Sequence, residues 1–185
     1  MKRKPLIGLL EAYASRWIEE KQTCDRFLEF VRRNPDCFER WLAEGHVTGS
    51  AWLVNKAGTH VLLTHHRKLG AWFQLGGHAD GESDVAKVAL QEAHEESGLG
   101  DLHLLDDAIF DIDIHLIPAR KTDPDHYHFD VRFIVRAMGS EAFEVGEESL
   151  DLAWVEIESI SDFTTETSML RMARKWNGRL AVERR

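Results

Sequence analysis

The chain of 185 residues lacks features that define several classes of protein. It has two cysteines, Cys24 and Cys37, whose spacing fits neither a zinc site nor a disulfide framework, so we expect reduced core thiols. No apolar run approaches the roughly 20 residues that a membrane-spanning helix needs. The apolar stretch after the basic start at 1–4 is too short for a secretory signal, because Glu11 follows it. These absences predict a soluble cytoplasmic protein without a membrane partner.

The chain also has no excess of basic charge. Lysine and arginine total 23 against 32 aspartates and glutamates, so the formal net charge is −9. The average field of such a protein repels polyanions, which argues against nucleic acid as a partner. A small anionic substrate is compatible with this charge if a bound divalent cation offsets the negative field at its site.

Apolar residues near the start of the chain recur at helical spacing. Between residues 5 and 44 the pattern predicts two helices and a short third helix that Gly45 ends. No group of residues in this stretch suggests chemistry. We therefore assign residues 1–45 to an N-terminal helical extension and expect it to serve as a packing element, a cap or a dimer surface.

From Gly49 onward the pattern changes to that of strands. The predicted elements are a hairpin around 55–58, a strand at Trp72, a glycine-rich loop at 76–81, a helix from about Ser83 to Ser97, alternating strands near 111–116 and 126–133, a strand at 152–157 and a closing helix at 168–176. Strands around one central helix, with helices at both ends, predict an α/β sandwich with a mixed sheet over residues 46–185.

The central predicted helix carries three carboxylates on one side. At about 100° per residue, Glu92, Glu95 and Glu96 fall within an arc of roughly 100° beside an apolar stripe. Like charges this close repel one another, whereas a hard divalent cation such as Mg²⁺ binds oxygen ligands. An isolated glutamate-rich helix face is more often plain solvated surface. Here the glycine-rich backbone just before the helix can approach a cation or phosphate closely, which favours a metal site.

These residues resemble the Nudix box, the signature G-x5-E-x7-R-E-U-x-E-E-x-G-U of the Nudix hydrolase superfamily, in which U is aliphatic. Gly77 matches the first glycine, and residues 91–99 match the right half at the required spacing. Gln91 stands in place of the arginine that usually holds the glutamates. Glu82 precedes by one residue the position of the first glutamate, and we expect a one-residue shift of the loop that keeps it in a supporting role.

The resemblance implies a Nudix-type α/β/α sandwich and a metal-dependent hydrolase. Such enzymes cleave a diphosphate bond in a nucleoside diphosphate linked to another moiety, so the implied partner is a small nucleotide-type substrate. Carried over by position, Glu92 and Glu96 would be the main ligands of Mg²⁺ or Mn²⁺. Glu95 would be an auxiliary ligand, and the Gly77 carbonyl would complete the set. Nudix proteins often dimerise, so the N-terminal helices could mediate a homodimer.

The proton acceptor of the reaction is not determined by the resemblance, because it varies across the superfamily. Glu95 is one candidate, and Glu147 and Glu148 in a later loop are others. Whichever of the three acts would take a proton from the attacking water through its carboxylate. The choice between them stays open at this point.

Two other functions stay open. A catalytically weak or inactive Nudix-like module that binds a nucleotide as a sensor is suggested by Gln91, although the three intact glutamates argue against it. An isomerase of the isopentenyl diphosphate type shares the fold. Its chemistry resembles a cysteine-plus-glutamate site, however, and both cysteines here lie outside the region of resemblance.

Histidines are unusually frequent near the predicted active face. They are His65, His66, His78, His115, His126 and His128. Histidines at strand ends are more often half-exposed polar residues than ligands. We single out three candidates for substrate contact: His78 because it lies inside the box, and His128 and Arg132 because they share one face of a strand.

Overall fold

The computed structural model of the chain describes residues 2–67, 69–119, 124–146 and 149–183. The helices are α1 (Lys4–Arg16), α2 (Lys21–Arg33), α3 (Val85–Ser97) and α4 (Thr167–Glu183), with short 3₁₀ helices at Ile18–Glu20 and Ile157–Asp162. The strands are β1 (Gly45–Val54), β2 (His60–His66), β3 (Ala71–Phe73), β4 (Leu75–His78), β5 (Leu102–Leu104), β6 (Asp111–Ile117), β7 (His126–Ala137) and β8 (Ser149–Glu156). In the described part of the chain, no helix has the length and apolar character needed to cross a membrane.

The eight strands form one mixed sheet around a central parallel pair, β1 and β7. The first half of this pair is flanked by β4 on one side and β6 on the other, both antiparallel to their neighbours. The second half is flanked by β2 and β5, and β2 in turn pairs with β3 and β8. The first half of the pair therefore has a different set of neighbours from the second half.

Helices cover both faces of the sheet. Because side chains alternate along a strand, Val47 on β1 faces one side and Trp52 faces the other. Val47 belongs to a hydrophobic cluster with residues of α1, α2 and α3, whereas Trp52 packs in a cluster with Met172 and Trp176 of α4. The predicted α/β/α sandwich is confirmed.

The N-terminal helices pack directly on the sheet. Phe30 of α2 stacks on Phe129 of β7 with ring centroids 3.7 Å apart, and Phe27 meets the same ring edge-on. Cys24 and Cys37 are buried free thiols, as predicted. The extension is thus a packing element of the sheet.

Several predicted elements occur at their expected places. α3 ends at Gly98, whose φ of 69° lies in the left-handed region and whose N–H donates to the His94 carbonyl at 2.9 Å. The β1–β2 hairpin turns at residues 55–58, where Gly58 has a φ of 71°. Strands β6, β7 and β8 and the closing helix α4 are also present, and α4 extends beyond the predicted end at 176.

Three differences from prediction lie between the end of α2 and the start of α3. The third N-terminal helix is absent, because α2 ends at Arg33 with Asn34 extended and Pro35 following, and residues after it form turns. β1 begins at Gly45, four residues before the predicted change of pattern, because its first residues pair with β7. The first part of the predicted glycine-rich loop is strand β4, which pairs with β1.

Candidate functional site

The double glycine of β4 brings two of the predicted metal ligands together. The Gly76 N–H donates to Oε1 of Glu96 at 2.7 Å. A Cβ added at Gly77 would stand 2.5 Å from Cδ of Glu92 and 2.6 Å from both of its carboxylate oxygens. The Glu92 carboxylate therefore lies against the Gly77 backbone, and only glycine leaves room for it. Glu92 and Glu96, one turn apart on α3, thus contact adjacent backbone units, Gly77 and Gly76 respectively.

Gln91 holds the third glutamate. Its Nε2 donates to Oε1 of Glu95 at 2.8 Å, one turn further along α3. Both side chains are exposed. A neutral amide thus takes over the positioning of Glu95 that the resemblance implies for an arginine, without adding a positive charge beside it.

Glu82 lies before α3. Its Oε1 accepts from the N–H groups of Ser83 and Asp84 at 2.8 and 3.0 Å, and Oε2 accepts from Lys87 Nζ at 2.8 Å. The hydrogen bonds from Lys87 and from these N–H groups lower the pKa of Glu82 to about 2. α3 begins at Val85 with Asp84 as its N-cap, so the helix starts two residues later than predicted. Glu82 supports the junction of loop and helix.

A block of polar side chains covers one face of the sheet beside the double glycine. Strands β1, β7 and β6 are in register there, so residues paired across the strands point the same way. The cross-strand rows are His46, His128 and His115; Thr48, Asp130 and Asp113; and Ser50, Arg132 and Asp111. β4 adds His78 beside Thr48 and Gly76 beside Ser50. We call this block the polar face.

Asp130 is the centre of the polar face. Its Oδ1 accepts from the hydroxyls of Thr48 and Ser50 at 2.8 and 2.7 Å. Its Oδ2 accepts from Gln74 at 3.2 Å and from Arg132 Nε at 2.7 Å. Side chains of β1 and β7 and of the Gln74 segment are thereby fixed to one carboxylate, which is buried.

Arg132 was predicted to contact substrate, and the structure gives it another role. Its side chain is 3% exposed and is bound by Asp130, by Asp111 at 3.0 Å and by Asp113 at 3.5 Å. The guanidinium is enclosed because its strand row lies under α4, where Met172 Sδ is 4.0 Å away. We therefore assign Arg132 to ordering the polar face.

A second ionic group ties the extension and α4 to the sheet. The Asp111 carboxylate accepts from Arg171 at 2.7 and 2.9 Å and from Lys175 at 2.6 Å. Lys175 also contacts Glu20 at 2.5 Å and donates to the Tyr13 hydroxyl at 2.6 Å. Together with Arg132, these residues form what we call the Asp111 cluster.

Asp113 contacts Arg132 and Arg171 of this cluster on one side and His115 on the other. Burial opposes ionisation of Asp113, but the hydrogen bond with His115 and the charges of Arg132 and Arg171 hold the pKa of its carboxyl at about 2. Asp113 is thus an anion over the whole physiological range. It links the charged end of the polar face to the histidine end.

The histidine end of the polar face brings together residues from four strands. The His46 ring centroid lies 4.9 Å from those of His78 and His128 and 5.0 Å from that of His126. His115 lies 5.4 Å from His128. Burial and the neighbouring imidazoles lower the pKa of His46 to about 4 and that of His128 to about 2, so both rings are neutral at pH 7.

His46 is the site residue that the sequence prediction missed. The predicted extension ends at residue 45 and the predicted strand pattern begins at Gly49, so the sequence places His46 on no strand. The signal was nevertheless present: His46, Thr48 and Ser50 alternate with small and apolar residues, as expected of a strand with one polar face.

The remaining predicted residues lie elsewhere. His65 and His66 end β2, where His65 stacks on Trp72 with ring centroids 5.0 Å apart. They pair with β3 and β8, away from the polar face. Glu147 and Glu148, the other candidates for the proton acceptor, lie outside the described residues.

Comparison with known proteins gives a family match and structural relatives. The NUDIX domain model matches residues 45–176. Similar solved structures include an Ap4A hydrolase binary complex from C. elegans, with 18% identity and a TM-score of 0.59 over 73% of this chain and 97% of the other. The Nudix hydrolase RenU from M. smegmatis has 20% identity and a TM-score of 0.56 over 75% and 88%. The E. coli dihydroneopterin triphosphate pyrophosphohydrolase has 14% identity and a TM-score of 0.56 over 70% and 92%. No curated protein matches the sequence.

Proposed function

The chain belongs to the NUDIX domain family and is a Nudix-type diphosphate hydrolase, and we propose that its hydrolysis depends on Mg²⁺ or Mn²⁺. Its substrate in this proposal is a nucleotide joined through a diphosphate bond to a second group. The observation that carries the proposal is the meeting of Glu92 and Glu96 at the backbone of Gly76 and Gly77.

The residues at the double glycine suit a hard divalent cation. Their donor atoms are oxygens, which Mg²⁺ and Mn²⁺ prefer. The Glu92 carboxylate occupies the space that a Cβ at position 77 would fill, so a cation there would have both this carboxylate and the Gly77 carbonyl as ligands. Glu96 would complete the protein ligands, with Glu95 as an auxiliary one. When bound, the cation neutralises charge on the phosphate oxygens and positions the attacking water.

Glu95 is the carboxylate that we propose as proton acceptor. Its exposed side chain receives one hydrogen bond from a neutral amide, which leaves lone pairs for a water molecule. In the reaction the water oxygen attacks phosphorus, the bridging P–O bond breaks, and the proton passes to the carboxylate. Glu147 and Glu148 are the alternatives. The acceptor is the glutamate whose substitution by glutamine changes the acid limb of the pH–rate profile.

The substrate is expected to reach the double glycine from the histidine end of the polar face. This face begins beside Gly76, and His78 and His128 at its outer end are half-buried, so they can meet a ligand. The names of two matched structures, an Ap4A hydrolase and a dihydroneopterin triphosphate pyrophosphohydrolase, suggest the first compounds to test. ADP-ribose, nucleoside triphosphates, nucleotide sugars and CDP-alcohols complete the panel.

The test is hydrolysis of this panel with Mg²⁺ or Mn²⁺ by the parent protein and by Glu96→Gln. Glu11→Gln is the matched control, because Glu11 is an exposed helical glutamate that pairs with Arg32. We expect metal-dependent cleavage by the parent and the control and none by Glu96→Gln, whose circular dichroism spectrum should be unchanged. Equal rates in Glu96→Gln and the parent would refute the site. Nucleotide binding without cleavage by the parent would favour the sensor function that Gln91 suggests.

A further inference from the structure

The histidine end of the polar face has the composition of a second metal site. One ring nitrogen from each of His46, His78 and His128 can be chosen so that the three nitrogens all lie within 4.8 Å of one another. We propose that these three histidines bind a transition-metal ion of the zinc type, separate from the cation at the glutamates of α3.

Buried nitrogens without a hydrogen-bond partner among the described residues, on His46 and His128, support a bound ion at this place. His46 is 2% exposed, yet within the described part of the chain neither of its ring nitrogens has a hydrogen-bond partner. Nε2 of His128 is likewise buried and unpartnered among the described residues. Buried polar atoms are normally satisfied, and unsatisfied nitrogens on two neighbouring buried rings require an explanation. A cation can take one lone pair from each ring, so it would satisfy Nε2 of His128 and one of the two nitrogens of His46.

The fold holds the three rings on rigid elements. His46 and His128 are register partners in the parallel pair β1–β7, and His78 ends β4 on the other side of β1. Zinc-bound imidazole nitrogens lie at about 2.0–2.1 Å from the metal, so the rings need to draw together from their present spacing. The side-chain torsions of the three histidines are the degrees of freedom by which the rings could draw together while the strands stay in place.

His126 strengthens the assignment. Its Nδ1 lies 2.9 Å from the Pro124 carbonyl oxygen, which can only accept, so Nδ1 carries the proton. The unprotonated Nε2 is left to act as acceptor or ligand, and a backbone carbonyl on the second nitrogen is the usual support of metal-binding histidines. The ring lies 5.0 Å from His46 and 5.3 Å from His128, which makes His126 the candidate for a fourth ligand.

The chemistry of the donors separates the two sites. Imidazole nitrogen suits zinc, cobalt, nickel and copper, whereas Mg²⁺ keeps to oxygen ligands. Three histidines and an open position are also a donor set that leaves room for a water molecule or a ligand oxygen. The site therefore has its own metal preference and can be loaded while Mg²⁺ occupies the other.

The test is a titration of untagged, chelator-treated protein with Co²⁺ in excess Mg²⁺, followed by visible absorption. We expect one equivalent of Co²⁺ to bind with the intense bands of four-coordinate nitrogen ligation, and Zn²⁺ to displace it. His78→Asn and His128→Asn should each weaken Co²⁺ binding by about 100-fold or more, since loss of even an outer partner costs 10–100-fold. His103→Asn, which removes an exposed histidine paired with Asp101, should leave the spectrum unchanged.

Two further variants make the outcome decisive. Glu96→Gln should retain the Co²⁺ spectrum, so that failure of the carboxylate site and failure of the histidine site are distinguishable. Thermal melting identifies any variant that does not fold, and His46→Asn serves as the replacement for a variant lost in this way. The proposal is overturned if the parent binds no Co²⁺ under these conditions, or if folded His78→Asn and His128→Asn bind it as tightly as the parent.

Discussion

Asp111→Asn is the substitution that tests how strongly the ionic contacts stabilise the protein. The Asp111 side chain has no exposed surface and accepts hydrogen bonds from Arg132, Arg171 and Lys175. Asparagine has nearly the same shape but carries no charge, and its amide NH₂ would replace one acceptor oxygen with a donor facing a cation. The variant would leave buried positive groups without their shared counterion.

The expected magnitude follows from the burial. Removing one partner of a buried ion pair costs about 3–5 kcal/mol, because the remaining charge is uncompensated. For a chain of this size each kcal/mol lowers the melting temperature by about 2–4 °C, so the melting temperature should fall by about 6–20 °C. The transition itself should stay cooperative.

Urea unfolding followed by tryptophan fluorescence measures this difference, because the chain has 6 tryptophans. The slope of the unfolding free energy with urea should be unchanged while the midpoint falls. Asp106→Asn is the control: its ion pair with Arg179 is 38% and 31% exposed, so its loss should cost at most about 1 kcal/mol. If Asp111→Asn is as stable as this control at neutral pH, the Asp111 cluster does not stabilise the fold as argued.

Three more predictions concern the site and its surroundings. Gly77→Ala should displace Glu92 and reduce the hydrolysis rate at least about 10-fold in steady-state kinetics, while circular dichroism shows a folded protein. An unchanged rate would show that the close approach of Glu92 to the Gly77 backbone is unimportant. Gln91→Arg should leave activity equal or raised, since an arginine can also hold Glu95, and a large loss would mean that the amide itself serves the substrate. Asp113→Asn should lower the free energy of unfolding by about 2 kcal/mol above pH ~4. This difference from the parent should vanish as the pH falls toward ~2, where the native carboxyl becomes protonated. A difference that stays constant in urea unfolding at several pH values would contradict the prediction.

The placement of the three glutamates beside one another on α3 was predictable because its information is local. Glu92, Glu95 and Glu96 share one helix, and helical geometry places them on one side whatever the rest of the chain does. The glycines precede that helix at short range. The hydrogen bond of Gln91 with Glu95 also spans four residues and is equally local, although it was not among the predictions.

The histidine end of the polar face was only partly predictable because its information is not local. The sequence shows that His128 lies on a polar strand face but not which strand lies beside it. His46 becomes its neighbour through the parallel pairing of β1 and β7. The burial of Arg132 has the same origin, since α4 covers its row from the far end of the chain. Pairing partners and helix cover depend on the whole fold.

The parallel pairing of β1 with β7 also has a consequence for the order of folding. Thr48 and Asp130, which share a hydrogen bond, are 82 positions apart in the chain. Because the chain is synthesised from its N-terminus, β1 cannot pair with β7 until more than 80 further residues have been made. Non-local pairing of this kind is slow, and an unpaired apolar strand is prone to aggregation in the meantime. The hairpin with β2 and the packing of α1 and α2 can form earlier, so we expect them to shield β1 on the nascent chain, with the polar face assembled last.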